Sequence, residues 1–463
     1  MTDRRPTWLL CALLGLATLA TFACGGDTAP RPAAQAADTS LAATEAPPTT
    51  ASPAAAEATA RALPVTPVSV QYRVIDPAFE ALPGARAYFG EYAGGGYQIE
   101  VPADWNGTVV YFAHGFRGNP PELTITPPPL RQYFIDHGYA WAASSYSKNG
   151  YEPGAGARDT YALRDVVART IGAPKRQYIY GQSMGGHVTA LSLELYPDAY
   201  DGALTECGAL GREILDYFTS WGALAGYFTH VDLLPASADA ISFGTKLKDE
   251  VYPALGGLDN LTTAGRAFVD AIEHLTGGPR PFFREGLRQN YLFNFVILFN
   301  AVAAAGPSTA AASNIGVQYA IDEGFGYTSA QINREISRVQ ANAMYRDAAQ
   351  YPEFQPLTGR IARPHLTLHG TGDLFVPISL EQSYRRAVDA AGAGGLLVQR
   401  SVRRAGHCNF SEQERERAFA DLVAWAEQGA QPAGEDLSGD LRDAGRAFTQ
   451  PLEGDDPGTV SVP

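Results

Sequence analysis

From about residue 108 to residue 206, short apolar runs alternate with longer stretches whose apolar residues recur every three or four positions. Thr108 to Ala113 is apolar without a break, as suits a central parallel strand buried on both faces. Leu130 to His137 reads as a helix and Tyr139 to Ser144 as the next strand. Asp159 to Ile171 reads as a helix with inward positions at Tyr161, Leu163, Val166, Val167 and Thr170. Tyr178 to Tyr180 is a further strand, Val188 to Leu195 a helix, and Tyr200 to Glu206 a strand that ends at Cys207-Gly208. Ahead of these, Val68 to Val74, Ala87 to Tyr92 and Tyr97 to Val101 read as short strands. The alternation predicts an α/β fold built on a doubly wound, mostly parallel sheet.

Residues 210–355 break the pattern. Helical spacing runs over Glu213 to Tyr227, Ala236 to Leu255, Thr263 to Leu275, Arg284 to Ala305 and Ser329 to Gln350. The segment is too long for a loop and predicts a helical cap inserted between two strands of the sheet. Its most apolar part, Tyr291 to Asn300, is expected to form cap core; it is too short for a membrane span and carries Asn294 and Asn300. The alternation then resumes with a strand over Pro364 to Gly370, a helix over Leu380 to Ala391, a strand over Gly395 to Val402 and a helix over Ser411 to Glu427. The α/β domain is therefore expected over 63–209 and 356–429. A loose tail is expected over 430–463, with apolar positions between Leu441 and Phe448 able to pack.

The amino-terminal end belongs to none of this. Arg4 and Arg5 precede an apolar run, Trp8 to Ala17, and small residues follow up to Ala23-Cys24, the pattern of a bacterial secretory signal over 1–23. The segment also resembles a lipoprotein signal in which Cys24 becomes the lipidated first residue. Ala23 fits that resemblance, whereas Thr21 and Phe22 stand where such signals carry leucine and a small residue. Both outcomes remain open, an envelope protein anchored through Cys24 and a freely secreted one. Residues 24–62 are rich in Ala, Pro and Thr, cannot bury enough apolar surface to order themselves, and read as a disordered tether. Losing 1–23 removes two positive charges and one negative, taking the formal charge from −14 to −15. An acidic mature chain argues against nucleic acid or anionic lipid as partner. Cys207 and Cys408 then remain as an even pair in an exported protein.

The candidate chemistry lies at strand ends. Gly181-Gln182-Ser183-Met184-Gly185 is a G-x-S-x-G between a strand and a helix, the setting in which a serine is lifted above a sheet on a strained turn. The alternative is a glycine-rich loop with an exposed serine. His114-Gly115-Phe116 follows the strand ending at Ala113, His369-Gly370-Thr371-Gly372-Asp373 follows the strand at 364–370, and Gly406-His407-Cys408 precedes the last helix. These residues, in this order, resemble the α/β-hydrolase superfamily from about residue 85 to 428, whose triad runs Ser…Asp…His along the chain.

The resemblance implies Ser183 as nucleophile, His407 as its base, Asp373 as the carboxylate that orients the imidazole, and the N–H groups of Met184 and Phe116 as an oxyanion hole. The cysteine after His407 is similar to the arrangement in secreted tannases and feruloyl esterases. There its partner precedes the nucleophile, where this chain has Gln182, so that family's substrate is not implied. A Cys207–Cys408 disulfide is expected, with two separate thiols as the alternative. His187, one helical turn after Ser183, is expected to pack in its helix; His369 precedes the acid, against the fold's order. Asp389 and Asp421 read as solvated helix-face carboxylates, and the loop 145–151 either as a wall of the ligand crevice or as surface turns, with no catalytic role.

The expected activity is hydrolysis of a small or polymeric carboxylic ester through an acyl-enzyme by an exported enzyme, with no cofactor and no metal. A serine peptidase of the same fold is the second reading; Glu273, Arg284 or Glu285 in the cap would then seize a substrate terminus. A non-catalytic envelope binding protein on a hydrolase scaffold is the third.

Overall fold

Eight strands form one sheet: β1 Ala85–Tyr92, β2 Gly95–Pro102, β3 Thr108–Ala113, β4 Ala140–Ser144, β5 Arg176–Gln182, β6 Gly202–Glu206, β7 His365–Gly370 and β8 Leu397–Val402. They lie in the order β8-β7-β6-β5-β3-β4-β2-β1. Only the pairs β1–β2 and β2–β4 are antiparallel. The computed structural model describes residues 61–62, 70–234, 240–291, 294–295 and 306–450. The expected signal segment, Cys24, the tether up to residue 60, part of the apolar cap run and residues 451–463 lie outside the described residues.

The period-2 geometry of a strand divides each apolar run between the two faces of the sheet. Val109, Tyr111, Ala140, Ala142 and Ile179 point to one face. They meet α2 (Pro153–Ile171), α3 (Met184–Leu195) and α7 (Ser379–Ala390) through Leu163, Val167, Leu193, Tyr384 and Val388. Val110, Phe112, Trp141, Tyr178, Tyr180 and Leu204 point to the other. There they meet α1 (Arg131–Asp136) and α8 (Glu412–Gln428) through Phe134, Phe419, Leu422 and Trp425. Both faces are covered, which is why the central strands read as continuous apolar runs.

Between β6 and β7 the chain is mainly helical, including α4 (Glu213–Thr229), α5 (Thr263–Leu275) and α6 (Phe283–Asn290). Its core gathers Trp221, Leu224, Phe268, Ile272 and Phe295. The same cluster takes in Leu374, Val376 and Leu380, which follow β7. Cap and sheet domain thus share apolar core at the carboxyl end of β7.

Several elements depart from the sequence pattern. The helix expected over Ser329 to Gln350 stops at Glu335, because Ile336 turns extended. The amide of Asn314 then holds Ser337 O at 2.9 Å and Val339 N at 2.7 Å, so those groups serve a side chain instead of a helix ladder. Val339–Gln340 pairs with Arg61–Ala62, which places the last two residues of the expected tether in a short strand. The strand expected over Val68 to Val74 is reduced to Arg73–Val74, paired with Glu122–Leu123. The helix expected from Asp159 begins at Pro153, with the proline in the first turn where no intrahelical donor is needed.

The expectation of a loose tail from residue 430 is corrected over 430–450. Glu435 N donates to Gln399 O at 2.7 Å, and its carboxylate accepts from Ser401 N and Oγ. These bonds satisfy the outer edge of β8, which has no strand beyond it among the described residues. Leu437, Leu441 and Ala444 pack with Ile378, and the Arg400 guanidinium lies over the Phe448 ring.

Where the cap rejoins the sheet domain, Glu152, Lys148, Tyr351 and Glu353 form one polar cluster. Lys148 Nζ lies 3.0 Å from Glu353 and 3.5 Å from Glu152, and the Tyr351 hydroxyl donates to Glu152 at 2.9 Å. Burial pushes the Glu152 carboxyl up from 4.5 to about 7, with Lys148 opposing and Glu353 adding to the rise. A carboxyl raised on folding contributes stability that is complete below its unfolded value and lost as pH rises through its folded value. Glu152→Gln, which keeps a partner for Tyr351, should therefore raise Tm relative to the parent more at about pH 8 than at about pH 5. An equal Tm difference at both values would remove Glu152 from this account.

Candidate active site

Ser183 links β5 to α3 with φ 57° and ψ −122°, a backbone conformation that non-glycine residues rarely hold and that costs about 1–3 kcal/mol. The surrounding chain fixes it. Ser183 N donates to Glu206 O at 3.1 Å, and Ser183 O accepts from Gly186 N and Ala209 N at 2.8 and 2.9 Å. The turn is so tight that a Cβ on Gly181 would lie 2.0 Å from Gly185 O, and one on Gly185 would lie 1.9 Å from Ala113 O. Both glycines of the motif are therefore steric requirements. The Ser183 side chain makes no capping bond to α3, which leaves its Oγ available.

The structure brings Ser183, His407 and Asp373 together. Ser183 Oγ lies 2.9 Å from His407 Nε2, and His407 Nδ1 lies 2.6 Å from Asp373 Oδ2. The other oxygen of Asp373 accepts from Phe375 N and Val376 N at 2.9 and 3.0 Å. Burial by itself would raise the Asp373 carboxyl, but His407, His369 and the Val376 N–H outweigh it and hold it below its ordinary value. An ionised Asp373 takes the Nδ1–H of His407, so Nε2 is left to accept from the serine hydroxyl. Phe375 stands edge-on to the imidazole, ring centres 4.8 Å apart.

Phe116 and Met184 adjoin this serine. A Cβ on Gly115 would come within 3.1 Å of the Ser183 Cβ, so the turn carrying Phe116 lies against Ser183. Met184 opens α3, where the first N–H groups have no intrahelical partner. His114 is buried between the carbonyls of Gly115 and Ser145 and stacked on Tyr146. Burial, with Arg117 adding, lowers it to about 3, against the opposing pull of the two carbonyls. His187 is likewise buried, 3.0 Å from the Tyr151 hydroxyl, and burial lowers it to about 4.

Cys207 and Cys408 form a disulfide with Cα atoms 5.2 Å apart, which fastens the loop carrying His407 to the end of β6. A second fastening was not evident from the sequence. Glu206, fully buried at the end of β6, accepts from Arg415 Nε at 3.1 Å and from Gln182 Nε2 at 2.7 Å. Arg415 also donates to Cys408 O and Phe410 O. Gln182, standing where the similar esterases carry a cysteine, thus joins the same network by hydrogen bond.

Other candidates lie elsewhere. Glu273 and Glu285 line a cleft with Arg280, Phe282 and Arg403 whose walls include neither Ser183 nor His407, and Arg284 is exposed on α6. Asp389 pairs with Arg385, and Asp421 with Arg400. Among the described residues two sets of side chains stand close enough to share an ion. In one, Cys207 and Cys408 beside His407, the sulfurs are bonded to each other. The other, Asp270, His274 and Asp322, sits on the cap, where His274 lies 2.9 Å from Asp322.

The strand order, a strained serine turn after β5, an aspartate after β7 and a histidine after β8 decide the architecture. The chain has the α/β-hydrolase fold. No family model matches it. An o-phthalyl amidase of Xanthobacter agilis is 22% identical over 401 residues, spanning 74% of this chain and 87% of that protein. Feruloyl esterase B from Aspergillus oryzae superposes with a TM-score of 0.41 at 14% identity, covering 76% of this chain and 82% of that one. An acylaminoacyl peptidase of Pyrococcus horikoshii gives 0.35 at 12% identity, covering 76% and 43%.

Replacing both Cys207 and Cys408 by serine opens a link between residues 201 positions apart and should lower unfolding stability by about 3–5 kcal/mol in denaturant titration. Non-reducing peptide mapping should recover the two cysteines on one linked pair; free thiols at both positions would refute the bond.

Proposed function

We propose that this chain is a serine hydrolase that cleaves carboxylic esters through an acyl-enzyme. The observation that carries the reading is the continuous run Ser183 Oγ, His407 Nε2, His407 Nδ1, Asp373 Oδ2, with separations of 2.9 and 2.6 Å at its two hydrogen bonds. A serine hydroxyl is a poor nucleophile until a base removes its proton. His407 takes that proton as Oγ attacks the carbonyl and returns it to the departing alcohol. Asp373 holds the imidazole in the required tautomer and stabilises its positive charge. The N–H groups of Met184 and Phe116 receive the developing oxyanion, and water then releases the acid by the same steps in reverse order. The substrate is a small or polymeric ester.

Hydrolysis of an amide by the same residues is the second reading. What favours it is the similarity to a protein named as an o-phthalyl amidase, over most of both chains. Attack, oxyanion and acyl-enzyme are common to both; the difference lies in protonating a nitrogen leaving group.

The test is hydrolysis of p-nitrophenyl esters, acetyl to palmitoyl, and of phthalyl and aminoacyl anilides. The parent is compared with its Ser183→Ala variant. Ester cleavage that falls by roughly 10⁴-fold or more in the variant is the expected result. Cleavage of the anilides alone would give the second reading, and cleavage that survives Ser183→Ala would overturn both.

The charged start, apolar run and Ala23-Cys24 support export, with either anchoring through a lipidated Cys24 or free secretion as the outcome. Cys24→Ala should move an anchored protein from the membrane to the soluble fraction; unchanged fractionation would end the anchoring alternative.

A further inference from the structure

The loop that carries Asp373 has hydrogen-bonding groups on two sides, and different parts of the molecule hold each. On the sheet side, Thr371 N donates to Val402 O and Gly372 N to Arg404 O, both at 2.8 Å. Below it, His369 Nε2 lies 2.9 Å from Val376 O, with its other ring nitrogen 3.4 Å from the buried Glu381 carboxylate. The remaining carbonyls are taken by the cap. Arg280 Nε donates to Thr371 O at 2.7 Å. The Tyr217 hydroxyl and Asn294 Nδ2 both donate to Leu374 O, at 2.7 and 2.9 Å, and Asn294 donates to the Tyr217 hydroxyl as well.

The contact is also steric. A Cβ on Gly286 of α6 would lie 1.7 Å from Gly372 O, so helix backbone rests directly on the residue before Asp373. Phe218 of α4 packs its ring 5.9 Å from that of Phe375, which in turn stands against His407. Tyr217 and Asn294 are buried, as is Arg280, and none of the three contacts Ser183. A lid that opens for substrate would break these bonds and uncover Leu374 and Val376, both part of the cap core.

We propose that Tyr217, Asn294 and Arg280 of the cap are positioning residues for Asp373, so that the cap sets the rate of the chemical step through the acid loop. The proposal rests on the serine hydrolase reading for its kinetics. Leu374 O, held by two donors, fixes the turn from which Phe375 N and Val376 N reach the carboxylate. Releasing that carbonyl lets the carboxylate drift from the 2.6 Å contact with His407. Misplacement of a group in a triad acts on the transition state and leaves ground-state binding unchanged.

The variants are Tyr217→Phe and Tyr217→Phe with Asn294→Leu, compared with Phe268→Leu, a substitution of a cap-core residue whose ring packs on Trp221, Tyr291 and Phe295 and makes no hydrogen bond to the acid loop. Two readouts are taken. With p-nitrophenyl esters, Tyr217→Phe should lower kcat about tenfold with KM within about twofold, and the double variant should lower it further. By proton NMR, the far-downfield resonance of the His407 Nδ1–H···Asp373 bond should move upfield or broaden in both. Phe268→Leu should lower Tm without changing either readout. Wild-type kcat and an unmoved resonance in the double variant would overturn the proposal, as would a change confined to KM. If the parent cleaves no ester or anilide, the functional reading falls alone, because the resonance still reports whether the cap holds Asp373.

Discussion

Everything at the candidate site depends on one residue being kept in a backbone conformation it would not choose. Ser183 sits at φ 57°, and nothing local to a serine favours that. The surroundings impose it. Glycines on either side allow β5, α3 and the end of β3 to approach within van der Waals contact, and the carbonyl of Glu206 takes the serine's own N–H. The register of β5 against β6, Gln182 opposite Glu206, delivers that carbonyl at the required point. A parallel sheet covered on both faces is therefore the means by which a strained turn is held still.

The two partners of Ser183 stand on loops, and each loop is fastened by groups that carry no reaction step. The His407 loop is tied to the end of β6 twice, by the Cys207–Cys408 bond and by the Glu206–Arg415 pair. Glu206 is fully buried, and Arg415 and Gln182 both donate to the same oxygen of its carboxylate. The Asp373 loop is held by the sheet, by His369 over Glu381, and by the cap. The cap is thus joined to the sheet domain by hydrogen bonds to main chain and by shared core, most densely beside the acid.

Much of this was legible in the residues. The β3 strand is a continuous apolar run and β5 has an apolar centre, Tyr178 to Tyr180, because both faces are covered, and the glycines of the Ser183 turn announce their steric role. Ser183, Asp373 and His407 each follow or precede an element with a clear pattern, so the topology that brings them together could be read. What could not be read involved groups whose pattern is bland. The first turn of α2, Pro153 to Ala157, is made of small residues and shows no apolar period. Arg415 is one of several charges along a helix and Glu206 the last residue of a strand. The segment 430–450 is rich in turns and charge, and its role as cover for the β8 edge depends on one main-chain donor and on the carboxylate of Glu435, one acidic residue among many in that stretch. Asn294 left a trace, a polar residue inside the most apolar run of the cap, but its partner Leu374 O lies 80 residues away.

The disulfide has a consequence for the path by which the molecule is assembled. Cys207 and Cys408 close a covalent ring that contains the whole of 210–355 together with β7 and β8. Once that ring is shut, its two ends stay together while the segment between them unfolds or refolds, so the chain with the bond intact has fewer conformations to search than the chain without it. The cap and the strands β7 and β8 can then fold after oxidation without losing the contact between the end of β6 and the histidine loop.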